Sequence, residues 1–139
     1  MKKIKFKTAL TALAAIIAVA IVTGGAVNAQ AYKRQSNKEK SVRVDVLPVE
    51  LTTGKPVKFD IKMNTHSVTL KSDIVAGSVL QDDTGVAYKA LKWDGTPPGS
   101  HHRSGTLEFP VLNGNPKSVT LIIKGVSNVP QRIYTWTLE

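Results

Sequence analysis

The sequence predicts an all-β protein, a single immunoglobulin-like β-sandwich of about seven or eight antiparallel strands behind an N-terminal signal peptide. Three observations carry this. Apolar and polar residues alternate one for one along several stretches after residue 41, the period of a strand with one face buried. Turn-forming residues punctuate those stretches at a spacing of roughly 8–12 residues. After residue 31 no stretch places apolar residues at helical spacing. A chain of 139 residues suits one domain with one core.

The N-terminus stands apart from that domain. Lys2, Lys3, Lys5 and Lys7 form a basic head with no acid, Thr8 to Val22 is an apolar run, and Ala29-Gln30-Ala31 ends it with a small-x-small site. This order predicts a secretory signal peptide over 1–31, cut after Ala31. The alternative is an uncleaved anchor, although the apolar run falls short of the roughly 20 residues that cross a bilayer core. Either way the remainder is expected outside the cytoplasm, secreted or tethered by its N-terminus. The chain has no cysteine, which excludes a disulfide framework, an acylated cysteine anchor and a thiolate copper site.

The net charge of +9 belongs mostly to the leader and the residues after it. Residues 1–31 hold four lysines and no acid, and residues 32–40 add Lys33, Arg34, Lys38 and Lys40 against Glu39. Residues 41–139 carry 11 basic and 9 acidic residues, so no nucleic-acid-binding face is expected. The stretch 32–40 reads as a disordered, basic polar linker, and 41–139 as the sandwich.

Taken in order, Val42, Val44 and Val46 alternate with Arg43 and Asp45 in a first strand that Pro48 would bend or place at an edge. Val57, Phe59, Ile61 and Met63 alternate with Lys58, Asp60, Lys62 and Asn64 in a second, after the turn Thr52 to Lys55. Short strands follow near Val68–Leu70 and Gly77–Gln81. Asp82 to Gly85 turns the chain, without the ligand spacing of a calcium loop. Val86 to Trp93 returns as one strand, and Thr106 to Leu112 is another. Asn113-Gly114-Asn115-Pro116 predicts a hairpin into Ser118 to Lys124. Arg132 to Leu138 ends the fold. Trp93 and Trp136 are expected in or beside the core.

The residues of chemical interest lie on two loops. His66, His101 and His102 are all the histidines in the chain, and three imidazoles can form an open Zn²⁺ or Cu²⁺ site if the loops share one end of the sandwich. Asp94 or Asp60 would then serve as a fourth ligand or as partner to a ring N–H. The competing reading makes the same histidines, with Thr65 and Ser67, hydrogen-bonded struts of the loops. Asp94 to Ser104, about eleven residues without strand character, approaches the length at which a loop is either functional or pinned by its own side chains. Arg103 could pin it through backbone carbonyls or face an anionic ligand. A hydrolase reading finds no nucleophile elbow, paired carboxylates or phosphate loop to support it.

Asn64-Thr65-His66-Ser67-Val68 and W-D-G-x-P-P-G-x-H-H-R-S-G-x-L-x-F over Trp93 to Phe109 resemble landmarks of a group of small exported or membrane-tethered prokaryotic β-sandwich domains of unassigned activity. The matching positions are Thr65, His66, Ser67, His101, His102, Arg103 and Gly105, and the likeness covers most of residues 57–138. It implies the fold and an extracytoplasmic location but neither substrate nor cofactor. Two functions follow as expectations. One is a non-enzymatic binding module that takes a divalent transition metal through its loop histidines. The other is a structural, adhesion or protein-interaction module of the envelope in which the histidines are struts.

Overall fold

The computed structural model describes residues 31–138, so the expected signal peptide lies almost entirely outside the described residues. Nine strands form two antiparallel sheets: β1 (Gln35–Glu39), β2 (Val42–Glu50), β3 (Pro56–Thr65), β4 (Ser78–Asp82), β5 (Ala87–Lys89), β6 (Lys92–Gly95), β7 (His102–Val111), β8 (Ser118–Ile123) and β9 (Arg132–Thr137). One sheet runs β1-β2-β3-β7-β6 and the other β5-β4-β8-β9. Among the described residues helix is confined to one 3₁₀ turn, Val126–Asn128. The all-β class and the sandwich are as the alternation predicts.

Strand parity builds the core. Val42, Val44 and Val46 of β2 and Val57, Phe59, Ile61 and Met63 of β3 are buried, as are Leu107 and Phe109 of β7. They face Leu80 of β4, Val119, Leu121 and Ile123 of β8, and Tyr134 and Trp136 of β9. The sheets meet through aromatics. Within the first sheet Phe59 lies edge-on to Phe109 with centroids 5.9 Å apart, and from the second Trp136 tilts over Phe59 at 5.3 Å. The Tyr134 hydroxyl donates to the Val44 carbonyl across the gap, 3.0 Å. Burial pushes its own titration well above the ordinary phenol value.

Four elements differ from the sequence reading, each for a physical reason. The stretch 32–40, read as a linker, carries β1, whose residues pair one for one with β2 from Gln35↔Val46 to Glu39↔Val42. An edge strand held by its backbone needs no apolar alternation, so period two is silent there. The run Val86 to Trp93 is two strands. β5 pairs with β4 and β6 with β7, and the chain crosses between sheets at Ala90-Leu91. Asn113 to Pro116 makes no hairpin, because β7 and β8 lie in different sheets and the turn arches from one to the other. Val68–Leu70 is reduced to one bridge, Leu70↔Ser100. Pro48 does mark an irregularity, a register shift between Pro48 and Glu50.

The lateral sides close differently. On one, the β5–β6 crossing carries the covalent chain from sheet to sheet. On the other, side chains tie β1 to β9. The Gln35 amide donates to the Thr135 carbonyl at 2.6 Å and accepts from its N–H at 3.2 Å. Arg132, 1% exposed, donates to Asn37 Oδ1 at 2.6 Å and to the carbonyls of Val42, Glu39 and Val126 at 3.1–3.3 Å.

Candidate functional site

Both histidine segments arrive at one end of the sandwich because β3 ends where β7 begins. Asn64 pairs with His102 in the ladder, and the next residues of each strand leave together as loops. Thr65, buried, turns the first loop: its Oγ1 accepts from the N–H groups of Ser67 and Val68, both at 3.3 Å. The loops are then laced by main-chain bonds. Thr65 N–H donates to His101 O, Leu70 N–H to Ser100 O and Gly99 N–H to Leu70 O, at 2.9–3.0 Å.

The histidines add side-chain ties to this lacing. His101 Nδ1 donates to the Val68 carbonyl, 2.7 Å, and His102 Nδ1 to Asn64 Oδ1, 2.8 Å. Those bonds fix the Nδ1–H tautomer in both rings. All three imidazoles are exposed, with His66 at the crest of the first turn. The structure brings the loops together but not a ligand set. Among the described residues no group of three or more His, Cys, Asp or Glu side chains is placed to hold a metal ion. Asp94 sits opposite Thr106, four residues along β7 from His102 and thus about 13 Å away at the rise of a strand. It lines a shallow depression with Lys58, Lys92 and Glu108 instead. Asp60 pairs with Arg34 at 3.6 Å. The ring N–H partners that a metal site would have drawn from these carboxylates are the Val68 carbonyl and the Asn64 amide.

Arg103 pins the loop. Only 2% exposed, it donates from Nη1 to Ser72 O at 2.8 Å and from Nε to Thr96 O at 3.3 Å, with its guanidinium 5.7 Å from the Trp93 ring centroid. Burial draws its titration down, and Asp73 opposes that only in part. Trp93 is half-buried here, its indole N–H also donating to Thr96 O at 2.9 Å. Thr96 completes the joint: its N–H donates to Ser104 O, and its hydroxyl accepts from Ser104 N–H. The eleven-residue loop is therefore a hairpin of β6 and β7 around Thr96 to His101. It went unseen because glycine and serine, weak strand formers, fill its paired ends.

Glycine is required at that crossing. Gly95 lies opposite Gly105, and a Cβ on Gly105 would meet Asp94 O at 2.5 Å, Gly95 Cα at 2.6 Å and Trp93 Cζ2 at 2.9 Å. Trp93, Gly95, Gly105, Arg103, His101 and His102 thus form one interlocked joint, to which His66, exposed on the first turn, adds no tie among the described residues. Ser72 and Thr96, which complete it, carry no periodic or motif signal and were missed; Asn64, visible in the strand alternation and the Asn64 to Val68 stretch, gave no sign that its amide would meet His102.

No family model matches the chain, and no curated protein matches it. A solved structure of similar shape is the crystal structure of a DUF4426 family protein from Pseudomonas aeruginosa, 8% identical, with a TM-score of 0.48 over 76% of this chain and 92% of that one. Likeness at that level carries nothing about activity.

Proposed function

We propose that the protein is a non-enzymatic, extracytoplasmic β-sandwich module whose loop end meets a protein partner of the cell envelope, with the histidines as struts of that end. The observation that carries this is the commitment of His101, His102 and Arg103 to holding residues 64–72 against 96–103. A surface that recognises a macromolecule by shape gains from loops fixed before contact, because less ordering entropy is lost on binding. The chain's direction supports the same reading. The Trp136 indole donates to the Lys33 carbonyl near the far end of the sandwich, while β1 then climbs toward the loops. A chain held by its N-terminus would present the histidine end outward.

Thermal melts of the purified chain with and without excess Zn²⁺ or Cu²⁺ test it. A ligand that binds only the native state raises the midpoint. An unchanged midpoint, together with destabilisation by Arg103→Ala and His101→Ala, is the expected result. A metal-dependent rise that disappears in His66→Ala and His101→Ala would instead restore the metal-binding module.

A further inference from the structure

The described residues other than glycine with φ in the left-handed region are Lys40 (47°), Ser41 (62°), Ser127 (54°) and Asn128 (57°). Lys40 and Ser41 are the two residues of the β1–β2 hairpin turn. A two-residue turn of this kind suits Asn-Gly, and Lys-Ser is a poor substitute because each Cβ crowds its own backbone. The strand that this turn holds in place contributes no buried side chain; its five residues are half-buried or exposed. What keeps β1 is directional and polar: its ladder to β2, the Gln35 amide on Thr135, and Asn37 and Glu39 on Arg132. β1 also closes the one lateral side that the covalent chain does not cross.

We propose that β1 exchanges between two copies of this chain, giving a strand-swapped dimer in which each β1 lies on the partner's β2 and β9. The second copy is the fitting occupant because the slot reads sequence. Thr135 takes both functions of a glutamine amide, and two residues on Arg132 takes an amide oxygen, the pattern Gln-x-Asn that β1 itself carries. Opening the turn lets Lys40 and Ser41 extend and relieves their left-handed backbone, while every other β1 contact is remade in trans. Short, strained hinges are the setting in which such exchange occurs.

The test uses the purified chain and the absence of native cysteines. Lys38 and Arg43 are directly opposite and exposed, so Lys38→Cys with Arg43→Cys reports which copy supplies β1. Swapping predicts that oxidation of concentrated protein gives covalent dimers on a denaturing gel. Light scattering across micromolar to millimolar protein should show a dimer. Lys40→Asn with Ser41→Gly, which suits the turn, should weaken dimerisation about a hundredfold, roughly tenfold for each of the two turns that open. Lys40→Pro cannot hold a positive φ and should shift the protein toward dimer. Monomers at every concentration with intrachain disulfides alone would overturn the proposal. So would a dimer whose introduced cysteines remain intrachain, or one indifferent to the Asn-Gly turn.

Discussion

Replacing Gly105 by alanine should be among the most damaging single methyl additions to this protein. The new Cβ would lie 2.5 Å from the Asp94 carbonyl and 2.6 Å from Gly95 Cα, both main-chain atoms of the facing strand. Ordinary contacts of this kind begin near 3.4 Å, so β6 must withdraw by several tenths of an ångström or more. Withdrawal is resisted on both sides, because Trp93 is anchored through Thr96 O and Arg103 lies over its ring. Overpacking against fixed neighbours costs about 1–3 kcal/mol, and the backbone partners place this site near the top of that range. For a domain of this size about 3 kcal/mol lowers the melting midpoint by roughly 10–20 °C. Gly105 has no positive φ, so the loss would be steric rather than conformational. The assay is a thermal melt followed by circular dichroism, with tryptophan fluorescence reporting on the joint. A midpoint within about 3 °C of wild type, less than 1 kcal/mol on that scale, would refute the claim that β6 and β7 cross in contact here.

Three further outcomes follow from the same contacts. Arg132→Ala removes the donor from five main-chain and side-chain acceptors and strips the buried Val42 and Val126 carbonyls of a partner, at about 1–3 kcal/mol each, with hydrogen exchange rising first in Gln35 to Glu39. His102→Ala and Asn64→Ala should each cost about 1 kcal/mol, and the double variant little more than either alone, because they share one bond. Stability should fall as pH drops below about 4, the ordinary carboxylate range. The Thr84 hydroxyl, with Tyr88 O–H and the N–H groups of Val86 and Thr84, holds Asp82 below its usual value against burial. Asp45 is pushed up by burial, but Ser36 and Arg43 outweigh that. The unfolded chain then binds these protons at higher pH than the native one, so acid favours unfolding, and urea melts at pH 3 and 6 would show it.

How far the sequence spoke depended on the kind of signal each residue carries. Val57 to Asn64 declared a strand because burial on one face forces alternation, and β3 is that strand. β1 was invisible for the opposite reason: Gln35, Asn37 and Glu39 act through amides and carbonyls, and such partnerships leave no alternation of apolar with polar residues. That Thr65 to Ser67 and His101 to Arg103 share one end could be expected of a sandwich's loops, although the strand pairing that brings them there was not legible. Which atoms they meet could not be read, since Val68 O, Asn64 Oδ1 and Ser72 O come into range only through the register of β3 on β7. Likewise Arg132 read as an ordinary strand residue, although it is among the largest fully buried side chains.

The two buried arginines explain how a sandwich without disulfides holds its irregular parts. Arg103 joins Ser72 to Thr96, and Arg132 joins Glu39, Val42 and Val126, in each case segments far apart in sequence. Neither forms an ion pair among the described residues; their partners are neutral carbonyls and amides. A carboxylate partner would protonate in acid and release the joint, whereas a carbonyl does not titrate and guanidinium keeps its proton throughout the range proteins meet. Both joints should therefore outlast the carboxylate turns as pH falls. Between pH 6 and pH 3, protection from hydrogen exchange, measured against the slower intrinsic rate in acid, should be lost at Thr84 and Val86, whose N–H groups rest on Asp82, before it is lost at Gly99 or Leu70. The reverse order would mean that the arginine joint, and not the carboxylate turn, is the weaker fastening.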